Sequence, residues 1–181
     1  AGVLDLAWLD IAQTDGVAYL ATACANARLH VYSIDANAAA APIKPFASAA
    51  CNGAGDACMS LSATAVQSGA AVHIALASTA GRLYTFTLAA NGALEPSAAW
   101  DAHTLEGWAV AFDPCDANVL YSGGDDAALL RWDLRSGTVA GANRKSHRAG
   151  VCCIAPGGEL RQHQIATGSY AAYIRPWDCR Q

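Results

Sequence analysis

The sequence predicts an all-β protein built from repeated units of similar length, and two matching stretches near the C-terminus carry that prediction. Each stretch contains a histidine, a hydroxyl residue and a Trp-Asp pair in the same order: His103, Ser122 and Trp132-Asp133, then His147, Thr167 and Trp177-Asp178. The two histidines lie 44 residues apart, and the two tryptophans lie 45 residues apart. The chain therefore contains an internal repeat with a period in the low forties.

A repeat of this period that closes on a Trp-Asp pair is typical of WD40 β-propellers, in which each repeat forms one blade. Two weaker repeats come earlier, because Tyr32 and Phe86 stand where Trp132 and Trp177 stand later, at successive spacings of 54, 46 and 45 residues. We predict about four consecutive blades of a larger, seven-bladed propeller, the last without its outer strand. The blades are predicted at approximately residues 1–50, 55–100, 103–146 and 147–181.

Each strand is predicted from a short apolar or β-branched run between Gly, Asn or Asp turns. The inner strands are expected at Val3–Leu9, Cys58–Ala65, Trp108–Phe112 and Gly150–Ile154. The second strands are expected at Val17–Ala23, Val72–Ser78, Val119–Gly123 and Gln164–Gly168. The third strands, which lead to the aromatic position, are expected at Leu29–Ser33, Leu83–Leu88, Leu129–Trp132 and Tyr173–Trp177. The outer strands give the weakest signal, at Leu94–Trp100, Thr138–Ala142 and a short run near Ile43–Phe46 inside a long loop.

Composition and charge exclude several classes of function. The formal net charge is −4 and only 14% of the residues are charged, which argues against a basic nucleic-acid-binding surface. There is no apolar run long enough to span a membrane. The seven cysteines have neither disulfide-framework nor zinc-ligand spacing, so we expect inert free thiols, no metal site and a reducing, intracellular compartment.

Four residues of the third unit are predicted to form a hydrogen-bond network inside the blade: His103, Ser122, Asp126 and Trp132. Such a network satisfies buried polar groups and fixes the blade. The alternative is a Ser-His-Asp hydrolase triad, but no G-x-S-x-G motif accompanies the serine. The fourth unit keeps His147, Thr167 and Trp177, whereas Ala171 stands at the carboxylate position and Pro176 interrupts its third strand.

Four other residues are candidates for a functional site. Glu106 precedes an inner strand beside Trp108, and Asp125 and Tyr170 lie in turns between second and third strands. Both kinds of loop emerge on one face of a WD40 propeller, so two carboxylates and two aromatic rings are expected to converge there. The alternative is that the acids are solvated turn residues and that Trp108 belongs to the core.

Several strings also resemble a particular family, the WD-repeat diphthine methylesterases of diphthamide biosynthesis. The strings lie at residues 2–8, 102–108, 120–126, 150–154 and 165–170. The resemblance covers most of the chain and is weakest over residues 36–71. It departs at Ala171-Ala172, where the family usually has Asp-Glu, and at Pro176, where it has an aliphatic residue. The family's proteins are about twice as long as this chain, which is consistent with a partial propeller.

The resemblance implies a cytoplasmic hydrolase that removes the methyl ester of methylated diphthine, a modified histidine of translation elongation factor 2, without a metal or organic cofactor. Glu106 or Asp125 is the candidate general base, with Trp108 and Tyr170 around the trimethylammonium group of the substrate. Backbone N–H groups of Gly123 and Gly124 are the candidate oxyanion donors. The competing interpretation is a non-catalytic WD40 scaffold that presents this face to protein partners.

Overall fold

The computed structural model of the chain describes residues 2–11, 16–35, 37–38, 42–51, 56–65, 71–158 and 161–180. This part of the chain contains fifteen β-strands in four antiparallel sheets and no α-helix. In every sheet the strands lie side by side in chain order. The predicted all-β fold of WD40 propeller blades is therefore confirmed. No helix in the described ranges is both long and apolar enough to cross a membrane.

The four sheets follow one another along the chain. The first contains β1 Val3–Leu9, β2 Val17–Cys24, β3 Arg28–Asp35 and β4 Ile43–Ala50. The second contains β5 Cys58–Ala65, β6 Ala71–Ser78, β7 Arg82–Ala89 and β8 Leu94–Asp101. The third contains β9 Gly107–Phe112, β10 Val119–Gly124, β11 Leu129–Asp133 and β12 Thr138–Asn143. The fourth contains β13 Val151–Pro156, β14 Gln164–Ser169 and β15 Ile174–Asp178.

The outer strand of the first sheet is longer than its sequence predicts. The prediction of a short strand near Ile43–Phe46 was wrong, because β4 continues to Ala50. Its second half, Ala47 to Ala50, pairs with β3 beyond a bulge at Phe46. Alanine gives little strand signal by itself, but the free edge of β3 offers backbone partners along its whole length.

That bulge recurs at the aromatic position of the repeat. The pairing between third and outer strands shifts at Tyr32 in the first sheet, at Phe86 in the second and at Trp132 in the third. Pro45 and Pro96 stand opposite the first two of these residues. A bulge is one of the few places where a strand accepts proline, which has no N–H to donate.

The core lies between successive sheets. Leu29 and Val31 of the first sheet pack in one cluster with Ile74 and Leu76 of the second, and all four are fully buried. Further clusters join the second sheet to the third and the third to the fourth. The inner strands β1, β5, β9 and β13 together line a cavity of about 300 Å³. The sheets therefore pack as neighbouring blades around a common centre, whereas membership of a larger propeller stays a prediction.

The turn between second and third strands has the same backbone conformation in all four sheets. One residue in each turn adopts a left-handed φ: Ala27 at 57°, Gly81 at 73°, Ala127 at 59° and Ala172 at 60°. Only the second sheet uses glycine there. A left-handed conformation costs an L-residue roughly 1–2 kcal/mol relative to glycine, so three of the four turns carry local strain.

The substitution Ala127→Gly is expected to raise the free energy of unfolding by about 0.5–1 kcal/mol, because the relief of strain exceeds the entropy that glycine adds to the unfolded chain. Urea denaturation of the two proteins measures the difference. Ala128→Gly is the matched control, because Ala128 is fully buried in the core and does not adopt a positive φ. Loss of stability in both variants would contradict the strain argument.

Candidate functional site

The third sheet contains a continuous hydrogen-bond chain through its predicted network residues. Trp132 Nε1 donates to Ser122 Oγ at 2.9 Å, and Ser122 Oγ lies 2.9 Å from His103 Nε2. His103 Nδ1 lies 2.9 Å from Asp126 Oδ1. The simplest assignment has Nδ1–H donating to Asp126 and the serine hydroxyl donating to Nε2, which satisfies all of these groups. The structure thus brings together the four residues that the sequence grouped.

This hydrogen-bonded network of the third sheet is unsuited to nucleophilic catalysis. Ser122 and the His103 side chain are completely buried, and the Ser122 oxygen already accepts from the Trp132 indole. Burial lowers the pKa of His103, and the Asp126 carboxylate offsets that effect only in part. Burial would raise the pKa of Asp126, but its bonds to His103 and to backbone N–H groups hold it below its usual value. The arrangement stabilises a neutral imidazole inside the blade.

The fourth sheet contains a shortened version of the same chain. Thr167 Oγ1 accepts from Trp177 Nε1 at 2.7 Å and lies 2.9 Å from His147 Nε2. His147 Nδ1 is buried and has no hydrogen-bond partner among the described residues, because Ala171 stands where a carboxylate would be needed. Burial and the charge of Arg175 lower the pKa of His147. The fourth network therefore leaves one buried donor unsatisfied.

These histidines predict a loss of stability in mild acid. Folding lowers the pKa of His103 and His147 below 6.5, and that of His30 is lowered by burial and by Arg28. As the pH falls, the histidines of the unfolded chain bind protons before those of the folded chain. The contribution of these histidines to the free energy of unfolding is therefore complete above about pH 6.5 and decreases as the pH falls below it. Between about pH 7.5 and 5.5 the free energy of unfolding should fall by about 1–2 kcal/mol.

Urea denaturation at the two pH values measures this loss. His147→Gln should reduce the pH dependence, because it removes one of the titrating groups. The control is Gln162→Ala, an exposed residue without a titratable side chain, for which an unchanged pH dependence is expected. A stability that rises as the pH falls would contradict the burial of neutral imidazoles.

The second sheet replaces the histidine network with one that sequence reasoning missed. Asp56, only 5% exposed, accepts hydrogen bonds from Thr79 Oγ1 at 2.8 Å, Ala80 N at 2.9 Å and Tyr84 Oη at 3.1 Å. Burial raises the pKa of Asp56, but these bonds outweigh it and lower the pKa overall. Here the carboxylate comes from the loop before the inner strand rather than from the turn, so the repeat pattern gave no signal for it.

The two candidate carboxylates lie on adjoining loops of the third sheet. The Asp125 backbone N–H donates to the Glu106 carbonyl at 2.8 Å. Asp125 is exposed and Glu106 is half-buried. Gly150, in the loop before β13, lies so close that a Cβ there would be 2.5 Å from Asp125 Oδ1. The acids therefore border the junction between the third and fourth sheets and remain open to solvent.

The two candidate aromatic residues meet across that junction. The ring centroids of Trp108 and Tyr170 are 6.0 Å apart with an interplanar angle of 86°. The Tyr170 N–H donates to the Gly150 carbonyl at 3.1 Å, the same contact that joins Asp125 to Glu106 one sheet earlier. Tyr170 is 61% exposed, so one ring of this edge-to-face pair is open to a ligand. All four candidate residues thus lie around one junction between two blades.

The glycine pair expected to supply oxyanion donors lies within β10, directly before Asp125. Gly123 and Gly124 are buried inside β10. A Cβ on Gly123 would lie 2.6 Å from Val151, and one on Gly124 would lie 2.5 Å from His103 Nδ1. Both residues must be small because the imidazole and the next inner strand pack against them. This packing explains the glycines without any role in binding a substrate.

Comparisons with known proteins add a family resemblance to this geometry. The chain is 41% identical over 87 residues to a human protein named diphthine methyltransferase, and 39% identical over 87 residues to the mouse protein of that name. The protein of that name from Schizosaccharomyces pombe is 38% identical over 85 residues. The chain resembles the diphthine methyltransferases. This finding confirms the resemblance predicted from the sequence strings.

The coverage of these matches is partial on both sides. They cover 48%, 48% and 45% of this chain, and the chain spans 19%, 18% and 25% of the human, mouse and yeast proteins. No protein-family model matches the chain. A chain in the crystal structure of the mitotic checkpoint complex superposes with a TM-score of 0.68 and 21% identity, over 90% of this chain and 44% of that one. That likeness supports the fold alone.

Proposed function

We propose that this chain takes part in diphthamide biosynthesis, as part of a protein that hydrolyses the methyl ester of methylated diphthine on translation elongation factor 2. The observation that carries the proposal is the grouping of Glu106 and Asp125 beside the Trp108–Tyr170 pair at one blade junction. The relatives' name, diphthine methyltransferase, supports the proposal because it joins diphthine to a reaction of a methyl group. Because the substrate is a translation factor, we propose that the protein acts in the cytoplasm.

The proposed reaction needs a base and a way to hold the substrate. Glu106 or Asp125 takes a proton from water, and the water oxygen forms a bond to the ester carbonyl carbon. The bond from that carbon to the methoxy oxygen then breaks as the protonated base returns its proton to that oxygen. Methanol leaves, and the diphthine acid that remains ionises to the carboxylate. Water is the only co-reactant, so the step balances without a cofactor.

The aromatic pair fits the cationic part of this substrate. Diphthine carries a trimethylammonium group, whose charge cannot be satisfied by hydrogen bonds. A ring face attracts such a cation by roughly 1–2 kcal/mol when water is excluded. Trp108 and Tyr170 meet edge to face at 86°, and Tyr170 is 61% exposed, so the Tyr170 ring is open to a ligand. We infer that Tyr170 makes the principal contact.

A non-catalytic scaffold is the second candidate. It is favoured by apolar side chains on the same loops, since Leu105 is 49% exposed beside Glu106 and Tyr170 is 61% exposed. Exposed apolar residues around a polar centre are typical of protein-docking surfaces. An esterase and a scaffold would both bind elongation factor 2 through this face, and only the esterase would change the factor chemically.

The test is incubation of the protein with elongation factor 2 that carries methylated diphthine, in water enriched in ¹⁸O. Ester hydrolysis releases methanol and places ¹⁸O in the diphthine carboxylate. Binding of the factor without methanol would favour the scaffold and overturn the esterase. Transfer of the methyl group to another acceptor, with no ¹⁸O in the carboxylate, would overturn hydrolysis in favour of methyl transfer.

A further inference from the structure

Two cysteines whose spacing did not predict a pair are in contact at the link between the first and second sheets. Cys51 Sγ lies 3.2 Å from Cys58 Sγ. Cys51 follows β4, and its N–H donates to the Ala27 carbonyl at 2.8 Å. Cys58 begins β5, where it pairs with Ser78 of β6. The backbone of each sulfur is therefore fixed in a different sheet, so the contact joins two blades.

We propose that Cys51 and Cys58 form a dithiol that hydrogen peroxide oxidises to an intramolecular disulfide, which locks the first sheet to the second. The sulfurs must approach by only about 1 Å to reach the S–S bond length of about 2.05 Å. Cys51 is 3% exposed and Cys58 is fully buried, so a small oxidant close to water in size suits the site better than a bulky disulfide.

The two thiols are not equivalent. The hydrogen-bond contact between the two sulfurs lowers the pKa of Cys58, whereas the same contact and burial raise the pKa of Cys51. The thiolate is the reactive form of cysteine. Cys58 is therefore assigned as the sulfur that meets the peroxide, and Cys51 as the sulfur that resolves the product.

The oxidation takes place in two steps. The Cys58 thiolate attacks one peroxide oxygen, an S–O bond forms, the O–O bond breaks, and hydroxide leaves to be protonated to water. The Cys51 sulfur then attacks the Cys58 sulfenic acid, the S–S bond forms, and the S–O bond breaks with loss of a second water. Two thiols lose two electrons and one peroxide gains them. A dithiol reductant such as dithiothreitol reverses the change.

The other cysteines provide internal comparisons. Cys115 and Cys153 are exposed, whereas Cys24 is buried and contacts Thr22 Oγ1 at 3.7 Å. Trypsin releases Cys51 and Cys58 together in the peptide of residues 29–82, which contains no other cysteine. An internal disulfide therefore leaves that single peptide lighter by two hydrogen atoms and unable to take up iodoacetamide.

The experiment treats the folded protein with hydrogen peroxide, denatures and alkylates it, and maps the tryptic peptides by mass spectrometry. The expected result is the unalkylated 29–82 peptide, restored to two alkylations by prior dithiothreitol. In the Cys51→Ser variant, the oxidation of Cys58 should stop at a sulfenic acid, which dimedone traps. In Cys58→Ser, Cys51 should remain alkylatable, and Cys24→Ser should leave the disulfide unaffected. Full alkylation of 29–82 in wild type, under conditions that oxidise Cys115 and Cys153, would overturn the proposal.

The locking role is tested by thermal unfolding of the same samples. A disulfide across a loop this short should raise the midpoint by about 5 °C. The rise should vanish after dithiothreitol and should be absent in both single-serine variants. These comparisons use the wild-type protein first, so they do not depend on the variants folding. An oxidised protein with an unchanged midpoint would show that the bond forms without locking the sheets.

Discussion

Replacing Glu106 and Asp125 together by their amides, Glu106→Gln with Asp125→Asn, is expected to lower the rate of methyl release by about 100-fold or more. Both amides keep the shape of the side chain and remove the only function assigned to it, which is to accept a proton from water. Binding of elongation factor 2 should change little, because the exposed apolar residues at the junction are unaltered. Methanol release under saturating substrate measures the loss.

The single variants decide which carboxylate is the base, since only one of them should reproduce most of the effect. Glu95→Gln is the matched control, because Glu95 is an exposed acid on the outer strand β8 and belongs to the second sheet. It should retain the wild-type rate. A double variant that still releases methanol at the wild-type rate would remove Glu106 and Asp125 from the mechanism while leaving the esterase itself intact.

Removing the Ser122 hydroxyl is the substitution expected to cost the most stability. Ser122→Ala breaks two hydrogen bonds and leaves two buried polar atoms, Trp132 Nε1 and His103 Nε2, without their partner. Each buried unsatisfied group costs about 1–3 kcal/mol, so the free energy of unfolding should fall by about 3 kcal/mol. Chemical denaturation followed by tryptophan fluorescence measures this change.

Two comparisons separate the network from general effects of substitution. Ser122→Thr should recover much of the loss, because Thr167 makes the same two contacts in the fourth sheet. Ser136→Ala removes an exposed hydroxyl from the turn before β12 and should change stability by less than about 0.5 kcal/mol. If Ser122→Ala and Ser136→Ala had equal effects, the buried chain would not be what stabilises the blade.

Much of the fold could be predicted because its information is local. The Trp-Asp repeats indicated the unit length, and the turn residues between short apolar or β-branched runs indicated where the strands begin and end. The third sheet illustrates this, because β9 to β12 begin and end within one residue of the predicted runs. The outer strand β4 was underestimated, because alanine carries no pattern and the strand depends on the edge of β3.

The candidate site was only partly predictable. The sequence placed Glu106, Trp108, Asp125 and Tyr170 on loops of one face, since the repeat fixes on which side each loop emerges. It gave no sign that Trp108 reaches Tyr170 of the next sheet, because that contact depends on how the third and fourth sheets pack. Asp56 was missed for a related reason, since it occupies the carboxylate role from a different loop.

Spacing along the chain was enough to predict the repeat, the strand order within each sheet and the residues of the His103 network, because each of these depends on one chain segment. The contacts between side chains of different sheets came instead from the packing of the blades. That packing joined Cys51 to Cys58 and brought both candidate acids to a blade junction. Such contacts depend on the angle and distance between packed sheets, which no short stretch of sequence encodes.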